Sequence, residues 1–146
     1  MNCDLDGSAE FSASGTLWGG NLAMVAHLVG TPYFPRIDDG VLFLEDVGEH
    51  PYRIERMLYQ LHHAGVLTQQ RAILLGQFNE YELNGNDGGY DLAGVVAQLR
   101  SLVSVPVFTG LPFGHVADKL TLPVGGNCAL DVSGGRAQLV FSNHGR

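Results

Sequence analysis

The sequence predicts one α/β domain with a central, mostly parallel sheet and a small antiparallel sheet. Its 146 residues allow a sizeable core, and 45% of them are hydrophobic against 16% charged. Between residues 41 and 109, continuous apolar strands alternate with amphipathic helices, which is typical of parallel strands joined by right-handed crossovers. After residue 115, short apolar strands separated by Gly-Gly pairs indicate an antiparallel meander.

The first forty residues show the weakest periodicity. Residues 1–14 are polar, and we interpret them as the remnant of an interdomain linker or as an edge strand, with 8–14 as the strand candidate. Residues 15–22 (GTLWGGNL) predict a Gly-rich turn that opens an apolar helix to about Val29, which Gly30 ends. The domain itself is therefore assigned to residues 15–146.

The middle of the chain carries clearer signals. A continuous apolar run predicts a strand at 41–45, and Pro51 suits the first position of the helix that follows. The spacing of Ile54, Met57, Leu58 and Leu61 gives that helix one apolar face, and Gly65 ends it. The remaining predictions are a strand at 72–78, a polar loop at 79–90, a helix at 92–102, a strand at 105–109, and short strands at 120–123, 128–132 and 137–141.

Composition excludes several classes of partner and location. The net charge is −7 with a single lysine, Lys119, so a nucleic-acid partner is not expected, because polyphosphates need clustered Lys and Arg. No apolar run approaches the roughly 20 residues that span a bilayer, and the first residues do not resemble a signal peptide. Two cysteines, Cys3 and Cys128, are too few for a disulfide scaffold, although a single bridge stays open. We therefore expect a cytoplasmic protein that does not enter membranes.

Two predicted strands end on residues that can handle protons. Glu45 and Asp46 end the strand that begins at Val41, and His115 follows the strand at 105–109. Active sites of open α/β sheets lie beyond the carboxyl ends of strands, and a carboxylate there can orient a histidine. Adjacent strand residues face opposite ways, so at most one of the two carboxylates is expected in a shared site. The competing interpretation is that the carboxylates meet solvent or cap a helix, and that the histidine is an ordinary loop residue.

Other candidates carry weaker signals. The start of the first helix could hold an anion through free N–H groups, with Trp18 as the wall of a peptide pocket and Asn21 beside it. Equally, Asn21 could be a simple N-cap in a tightly packed turn. Cys128 lies between apolar residues, where cysteine usually behaves as a small hydrophobe rather than a nucleophile. The spacing of histidines and cysteines fits no metal motif, so no metal and no cofactor is expected; the five other histidines are His27, His50, His62, His63 and His144.

Several blocks of the sequence resemble a known family of peptidases. They are GTLWGGNL at 15–22, GTP at 30–32, LFLED at 42–46, EHPYRIERML at 49–58, GQF at 76–78 and GLPFGH at 110–115. In this order and spacing they are similar to the C-terminal half of the murein tetrapeptide LD-carboxypeptidases, and more distantly to the microcin C immunity peptidases. The resemblance runs from about Gly15 to the end of the chain. It implies a swivelling β/β/α three-layer domain, the C-terminal part of a two-domain serine peptidase.

The resemblance also implies an activity and its residues. Glu45 corresponds to the acid and His115 to the base of a Ser…Glu…His triad, whose serine lies on a strand-to-helix elbow of the N-terminal domain. The implied reaction removes the terminal D-alanine from murein tetrapeptides during peptidoglycan recycling in the cytoplasm. The implied partners are the muropeptide substrate, the protein's own N-terminal domain and a second copy in a homodimer.

The chain departs from the family pattern in one respect. The nucleophile domain is absent from these 146 residues, and Ser12 and Ser14 match no elbow motif. We therefore expect the chain to be inactive by itself. The alternative hypothesis is a non-catalytic peptide-binding or oligomerisation module of the same fold.

Overall fold

In the computed structural model, residues 1–7 and 10–142 are described, and they form seven strands and three α-helices. The strands are β1 (Asn2–Asp4), β2 (Glu10–Asn21), β3 (Val41–Val47), β4 (Ala72–Asn79), β5 (Val107–Thr109), β6 (Asn127–Ser133) and β7 (Arg136–Ser142). The helices are α1 (Leu22–Leu28), α2 (Pro51–His63) and α3 (Leu92–Leu102), with short 3₁₀ helices at Leu67–Gln69 and Gly85–Asp87.

The long strand β2 joins an antiparallel half of the sheet to a parallel half. The strand order is β1-β7-β6-β2-β3-β4-β5. Residues 10–16 of β2 pair antiparallel with β6, whereas residues 17–21 pair in parallel with β3. The predicted central parallel sheet and small antiparallel sheet are therefore two halves of one sheet.

The N-terminal segment contacts both edges of that sheet. Strand β1 pairs with β7 at one edge, and Asp6 forms a bridge with Thr109 of β5 at the other, with N–O distances of 3.0 and 2.9 Å. Nη2 of Arg100 holds the same turn by donating to the backbone oxygen of Asp6 at 3.0 Å. The segment thus covers strand edges that would otherwise present unpaired backbone groups.

The assignment of residues 1–14 as a linker remnant or an edge strand needs revision on one point. Asn2–Asp4 does form a strand at the edge of the sheet. The candidate at 8–14 differs: Ser8 and Ala9 lie outside the described residues, and from Glu10 onward the chain belongs to β2. That strand occupies the middle of the strand order, where it pairs with β6 and continues into the pairing with β3.

Alternation along the parallel strands produces one core on each face of the sheet. Even-numbered residues of β3, Leu42 and Leu44, pack in an outer core with Ile54 and Leu58 of α2. The odd-numbered Val41 and Phe43 pack in an inner core with residues of the antiparallel half; the latter are Cys128, Leu130, Val132, Ala137 and Leu139. Helices therefore cover one face of the parallel strands and the antiparallel half covers the other. This layering confirms the predicted β/β/α class.

The helices begin and end close to the predicted positions. Helix α2 begins at Pro51, and Gly65 beyond its end adopts φ 77°, a left-handed conformation typical of helix termini. Helix α3 has the predicted bounds and is capped by Asp91, whose side chain accepts from the N–H of Gly94 at 2.9 Å. In the described part of the chain, no helix has the length and apolar character needed to cross a membrane.

Two predicted elements are wrong. Residues 15–21 continue strand β2 instead of forming a turn, because their glycines allow close approach to β3. Gly19 has φ 125°, and a Cβ added there would lie 1.9 Å from the carbonyl oxygen of Phe43. Residues 120–123 form no strand, since Leu120 donates its N–H to the oxygen of Pro112 in a neighbouring loop while Leu122 packs against the inner core.

We expect Gly19→Ala to destabilise the fold more than Gly20→Ala. Both residues have a positive φ, 125° and 137°, so either substitution strains the backbone by about 1–3 kcal/mol. Only at Gly19 would the new methyl group also collide with a backbone oxygen, whereas nothing lies within 4 Å of a Cβ at Gly20. Urea unfolding of the two variants measures the difference, and equal midpoints would contradict the close approach of β2 to β3.

The thiol of Cys128 is part of the inner core. The residue lies in β6 and is fully buried, and burial raises the pKa of its thiol to about 11 from the ordinary value of 9.0. Cys3 is partly exposed on β1, and both cysteines are free thiols. The expected small-hydrophobe role of Cys128 agrees with this environment, in which the thiol stays protonated at neutral pH.

Because Cys128 is buried, we expect part of the free energy of unfolding to be lost at alkaline pH. Because the pKa of the thiol is higher in the folded than in the unfolded state, its contribution is fully present below pH 9 and is lost as the pH rises through about 11. Between pH 8 and 11 we expect the unfolding free energy of the wild-type chain to fall by roughly 2 kcal/mol more than that of Cys128→Ala. Denaturant titrations across this range test the expectation, and parallel pH profiles would refute it.

Candidate active site

Glu45 and His115 meet at the carboxyl end of the parallel strands. Nδ1 of His115 lies 2.9 Å from Oε2 of Glu45, although the residues are 70 positions apart in the sequence. The acid side chain is 5% exposed, whereas the histidine side chain is 52% exposed. A carboxylate that accepts from Nδ1–H leaves Nε2 of the neutral ring free to accept a proton. The pair therefore consists of a buried acid behind a solvent-accessible base.

Strand alternation separates the two neighbouring carboxylates. Glu45 follows Val41 and Phe43 on the inner face, toward His115, while Asp46 follows Leu42 and Leu44 on the helix-covered face. Both carboxylates are buried, at 4% and 3% exposure. As the alternation predicts, one of them joins the histidine and the other contributes elsewhere.

Asp46 organises the start of helix α1. Its Oδ2 accepts from the N–H of Ala23 at 2.9 Å, and its Oδ1 accepts from Nδ2 of Asn21 at 2.8 Å. Oδ1 of Asn21 accepts from the N–H of Met24 at 3.1 Å, which makes Asn21 the N-cap. The N–H groups of Ala23 and Met24 are thus already bound, so the structure favours the N-cap interpretation of this turn over an anion site.

The predicted site residues Trp18 and Asn21 occupy different places. Asn21 pairs with Glu45 across β2 and β3 and so lies beside the acid. Trp18 pairs with Leu42, further back along the strands, and its ring is buried in the outer core. Its Nε1 donates to Oε1 of Gln70 at 2.8 Å. The structure therefore does not bring Trp18 to the group formed by Glu45 and His115.

The end of β4 holds the loop that carries His115. Leu44 pairs with Leu75 but Asp46 pairs with Phe78, so β4 contains one extra residue opposite Glu45. Within this bulge, the N–H of Gln77 donates to the oxygen of Phe113 at 2.8 Å. The Phe113 ring then packs edge-on against Phe43, with ring centroids 5.0 Å apart. The bulge thus directs the N–H of Gln77 away from the strand ladder and toward the loop that carries His115.

Glycine is required immediately before the histidine. Gly114 has φ 141°, and a Cβ added there would lie 3.3 Å from Oε2 of Glu45 and 3.1 Å from Cβ of Gln77. A side chain at this position would strain the backbone and crowd the acid. The Phe-Gly-His sequence therefore lets the backbone pass close to the carboxylate of Glu45, and the ring of His115 then contacts that carboxylate.

Two polar residues of the site escaped the sequence interpretation. Nε2 of Gln77 donates to the oxygen of Leu111 at 3.3 Å, and Nδ2 of Asn79 donates to the oxygen of His115 at 2.9 Å. Both residues end β4, the strand between β3 and β5. Parallel strands present site residues at their carboxyl ends, and this rule applies to β4 as well. Applied to the predicted strand at 72–78, it would have pointed to Gln77 and Asn79.

The remaining candidates lie away from the pair. Oγ of Ser12 donates to Asp131 in the antiparallel half at 2.6 Å, and among the described residues no serine hydroxyl bonds to His115. His50 is the N-cap of α2, with Nδ1 3.5 Å from Oδ1 of Asp87. His144 lies outside the described residues, within which no group of three metal-ligating side chains occurs.

Comparison with known proteins gives a consistent result. The family described as LD-carboxypeptidase C-terminal domain matches residues 14–130. A solved muramoyltetrapeptide carboxypeptidase from Oxalobacter formigenes is 48% identical with a TM-score of 0.91, covering 100% of this chain and 51% of that one. The microcin C7 self-immunity protein MccF shares the fold, with a TM-score of 0.81 at 24% identity over 96% of this chain and 41% of its own.

Curated relatives give the same family. The murein tetrapeptide carboxypeptidase of Pseudomonas aeruginosa is 33% identical over 126 residues, 86% of this chain and 40% of its own length. The probable murein peptide carboxypeptidase of Bacillus subtilis is 31% identical over 121 residues, 83% and 38% respectively. The chain thus spans about two fifths of the length of these relatives. Since the family match covers most of the chain and the fold agrees throughout, this protein belongs to the LD-carboxypeptidase C-terminal domain family.

Proposed function

We propose that this chain is the domain that contributes the acid and the base of a serine LD-carboxypeptidase. The observation that carries the proposal is the 2.9 Å contact between Oε2 of Glu45 and Nδ1 of His115 at the carboxyl edge of the parallel strands. In this proposal the substrate is a murein tetrapeptide and the product is free D-alanine. The names of the relatives from Pseudomonas aeruginosa and Oxalobacter formigenes support this class of substrate.

The proposed chemistry assigns one proton path to the histidine. Nε2 of His115 takes the proton of a serine hydroxyl as the serine oxygen attacks the carbonyl carbon of the terminal peptide bond. Glu45 holds the imidazole by its Nδ1–H and stabilises the imidazolium that forms. Nε2–H then donates its proton to the amine of the leaving D-alanine, and an acyl-enzyme remains. Water, activated by the same nitrogen, hydrolyses that ester and regenerates the serine.

The exposure of the base supports a nucleophile from outside this chain. Half of the His115 side chain is accessible, and its Nε2 makes no hydrogen bond to the described residues. We propose that the protein's own N-terminal domain docks over this edge and brings the serine and the oxyanion donors. Peptidoglycan recycling in the cytoplasm, and a homodimer, complete the proposed setting.

The alternative is a binding or oligomerisation module that retains the fold without catalysing a reaction. A binding module needs no pairing between a buried carboxylate and an exposed imidazole. Such a pairing offers a route for a proton, which a module that only binds a partner does not use. The two hypotheses predict different results for a variant without the imidazole of His115: turnover is lost if the domain is catalytic and is unchanged if it only binds.

In a protein that carries both domains, we expect Glu45→Gln and His115→Ala each to lower kcat by on the order of 10⁴-fold or more. Glu45→Gln loses the carboxylate that fixes the ring tautomer, and His115→Ala loses the base. Release of D-alanine from a murein tetrapeptide is the measurement. The matched controls are Glu82→Gln and His63→Ala, which remove the same groups from exposed positions. Unchanged turnover in a folded His115→Ala protein would leave only the binding alternative.

We expect the 146-residue chain alone to release no D-alanine from a murein tetrapeptide, because in the proposed mechanism the attacking hydroxyl lies on the N-terminal domain. Addition of the separately produced serine domain is expected to restore measurable release, and addition to a His115→Ala chain is not. Turnover by the isolated chain, retained in His115→Ala, would show that the reaction uses other residues.

A further inference from the structure

We propose that Asn79 is a positioning residue that fixes the backbone of His115, so that the imidazole keeps its hydrogen bond to Glu45. Asn79 is the last residue of β4, which lies next to the strand that carries the acid. Its importance for catalysis rests on the proposed function. Its effect on the histidine, however, can be measured in this chain without any reaction.

Asn79 is hydrogen-bonded to both segments that form the acid–base pair. Its side-chain Nδ2 donates to the backbone oxygen of His115 at 2.9 Å. Its backbone oxygen accepts from the N–H of Gly48 at 2.8 Å, and it pairs with Val47 in the sheet. One residue thus ties the end of the acid-bearing strand to the histidine itself.

The loop needs such an anchor because, among the described residues, its other backbone hydrogen bonds act on either side of the histidine and none acts on the backbone of His115 itself. Gln77 binds the loop at the oxygens of Phe113 and Leu111. Gly114 then separates Phe113 from His115, and a glycine allows more backbone conformations than any other residue. The ring of His115 is 52% exposed, so packing restrains it weakly. Within residues 1–7 and 10–142, the bond from Asn79 is the one that restrains the backbone of His115 directly.

The chemistry of the amide makes the contact specific. The acceptor is a carbonyl oxygen, so only the NH₂ group of Asn79 can face it. Its Oδ1 is buried and has no partner among the described residues. Asn79→Asp has nearly the same shape, but it would place a carboxylate oxygen against the oxygen of His115. The substitution therefore replaces an attraction with a repulsion at this one contact.

The test is a nuclear magnetic resonance measurement on the ¹⁵N-labelled chain. Long-range ¹H–¹⁵N spectra of the imidazoles show which ring nitrogen carries the proton in the neutral form, and His115→Ala identifies the signals of this ring. We expect Nδ1 to be protonated in the wild-type chain. In Asn79→Ala and Asn79→Asp we expect that population to shift to Nε2, as in Glu45→Leu, which removes the acceptor. The matched control is Asn86→Ala, an exposed asparagine of the following loop.

Each outcome decides the proposal. A shift in both Asn79 variants, with the backbone amide spectrum otherwise retained, supports it, because a purely structural role would not move the ring proton. Folded Asn79 variants that keep the wild-type Nδ1 proton overturn it and leave the proposed function intact. Failure of both variants to fold also overturns it, since Asn79 would then serve the fold as a whole. A wild-type ring protonated at Nε2 would refute the acid–base pair and the proposed function together.

Discussion

The buried carboxylate of Glu45 is the constraint on which the candidate site depends. A carboxylate with 4% exposure loses most of its hydration, which costs several kcal/mol unless hydrogen bonds or an opposite charge offset the loss. The contact that offsets it is Nδ1 of His115 at 2.9 Å. The same contact fixes the proton on Nδ1 and leaves Nε2 as the basic nitrogen. An interaction required by burial therefore also holds the ring in the tautomer that the proposed proton transfer needs.

Strand alternation places the two adjacent acids on opposite faces of the sheet, where they bind different groups. Glu45 reaches the inner face and the histidine loop, while Asp46 reaches the outer face and fixes the start of α1. Each acid is buried; Glu45 pairs with the ring of His115, and Asp46 accepts from Asn21 and Ala23. Because Asn21 binds Asp46 and pairs with Glu45 across the strands, the helix start, the second acid and the site share one edge of the sheet.

Strand β4 connects this edge to the base. It lies between β3 and β5, and its bulge directs the N–H of Gln77 to the histidine loop. Its last residue, Asn79, contacts both the loop and the end of β3. Further away, the N-terminal segment pairs at both edges of the sheet through β1 and Asp6, which limits how far the antiparallel half can separate from the parallel half. The geometry of the pair is thus supported by elements from most of the described chain.

The sequence by itself determined the features that depend on local periodicity. The alternating pattern predicted the α/β class, Pro51 marked the start of α2, the bounds of α3 were predicted correctly, and the positions of Glu45 and His115 after strands indicated a shared edge. Tertiary structure alone decided the rest, because it depends on groups far apart in the chain. The glycines at 15–20 look like a turn until the approach of Gly19 to Phe43 is known, and Trp18 looks like a pocket wall until its bond to Gln70 is seen. The extra residue in β4 and the contact of Asn79 with His115 likewise follow from strand register and loop packing, which no local pattern encodes.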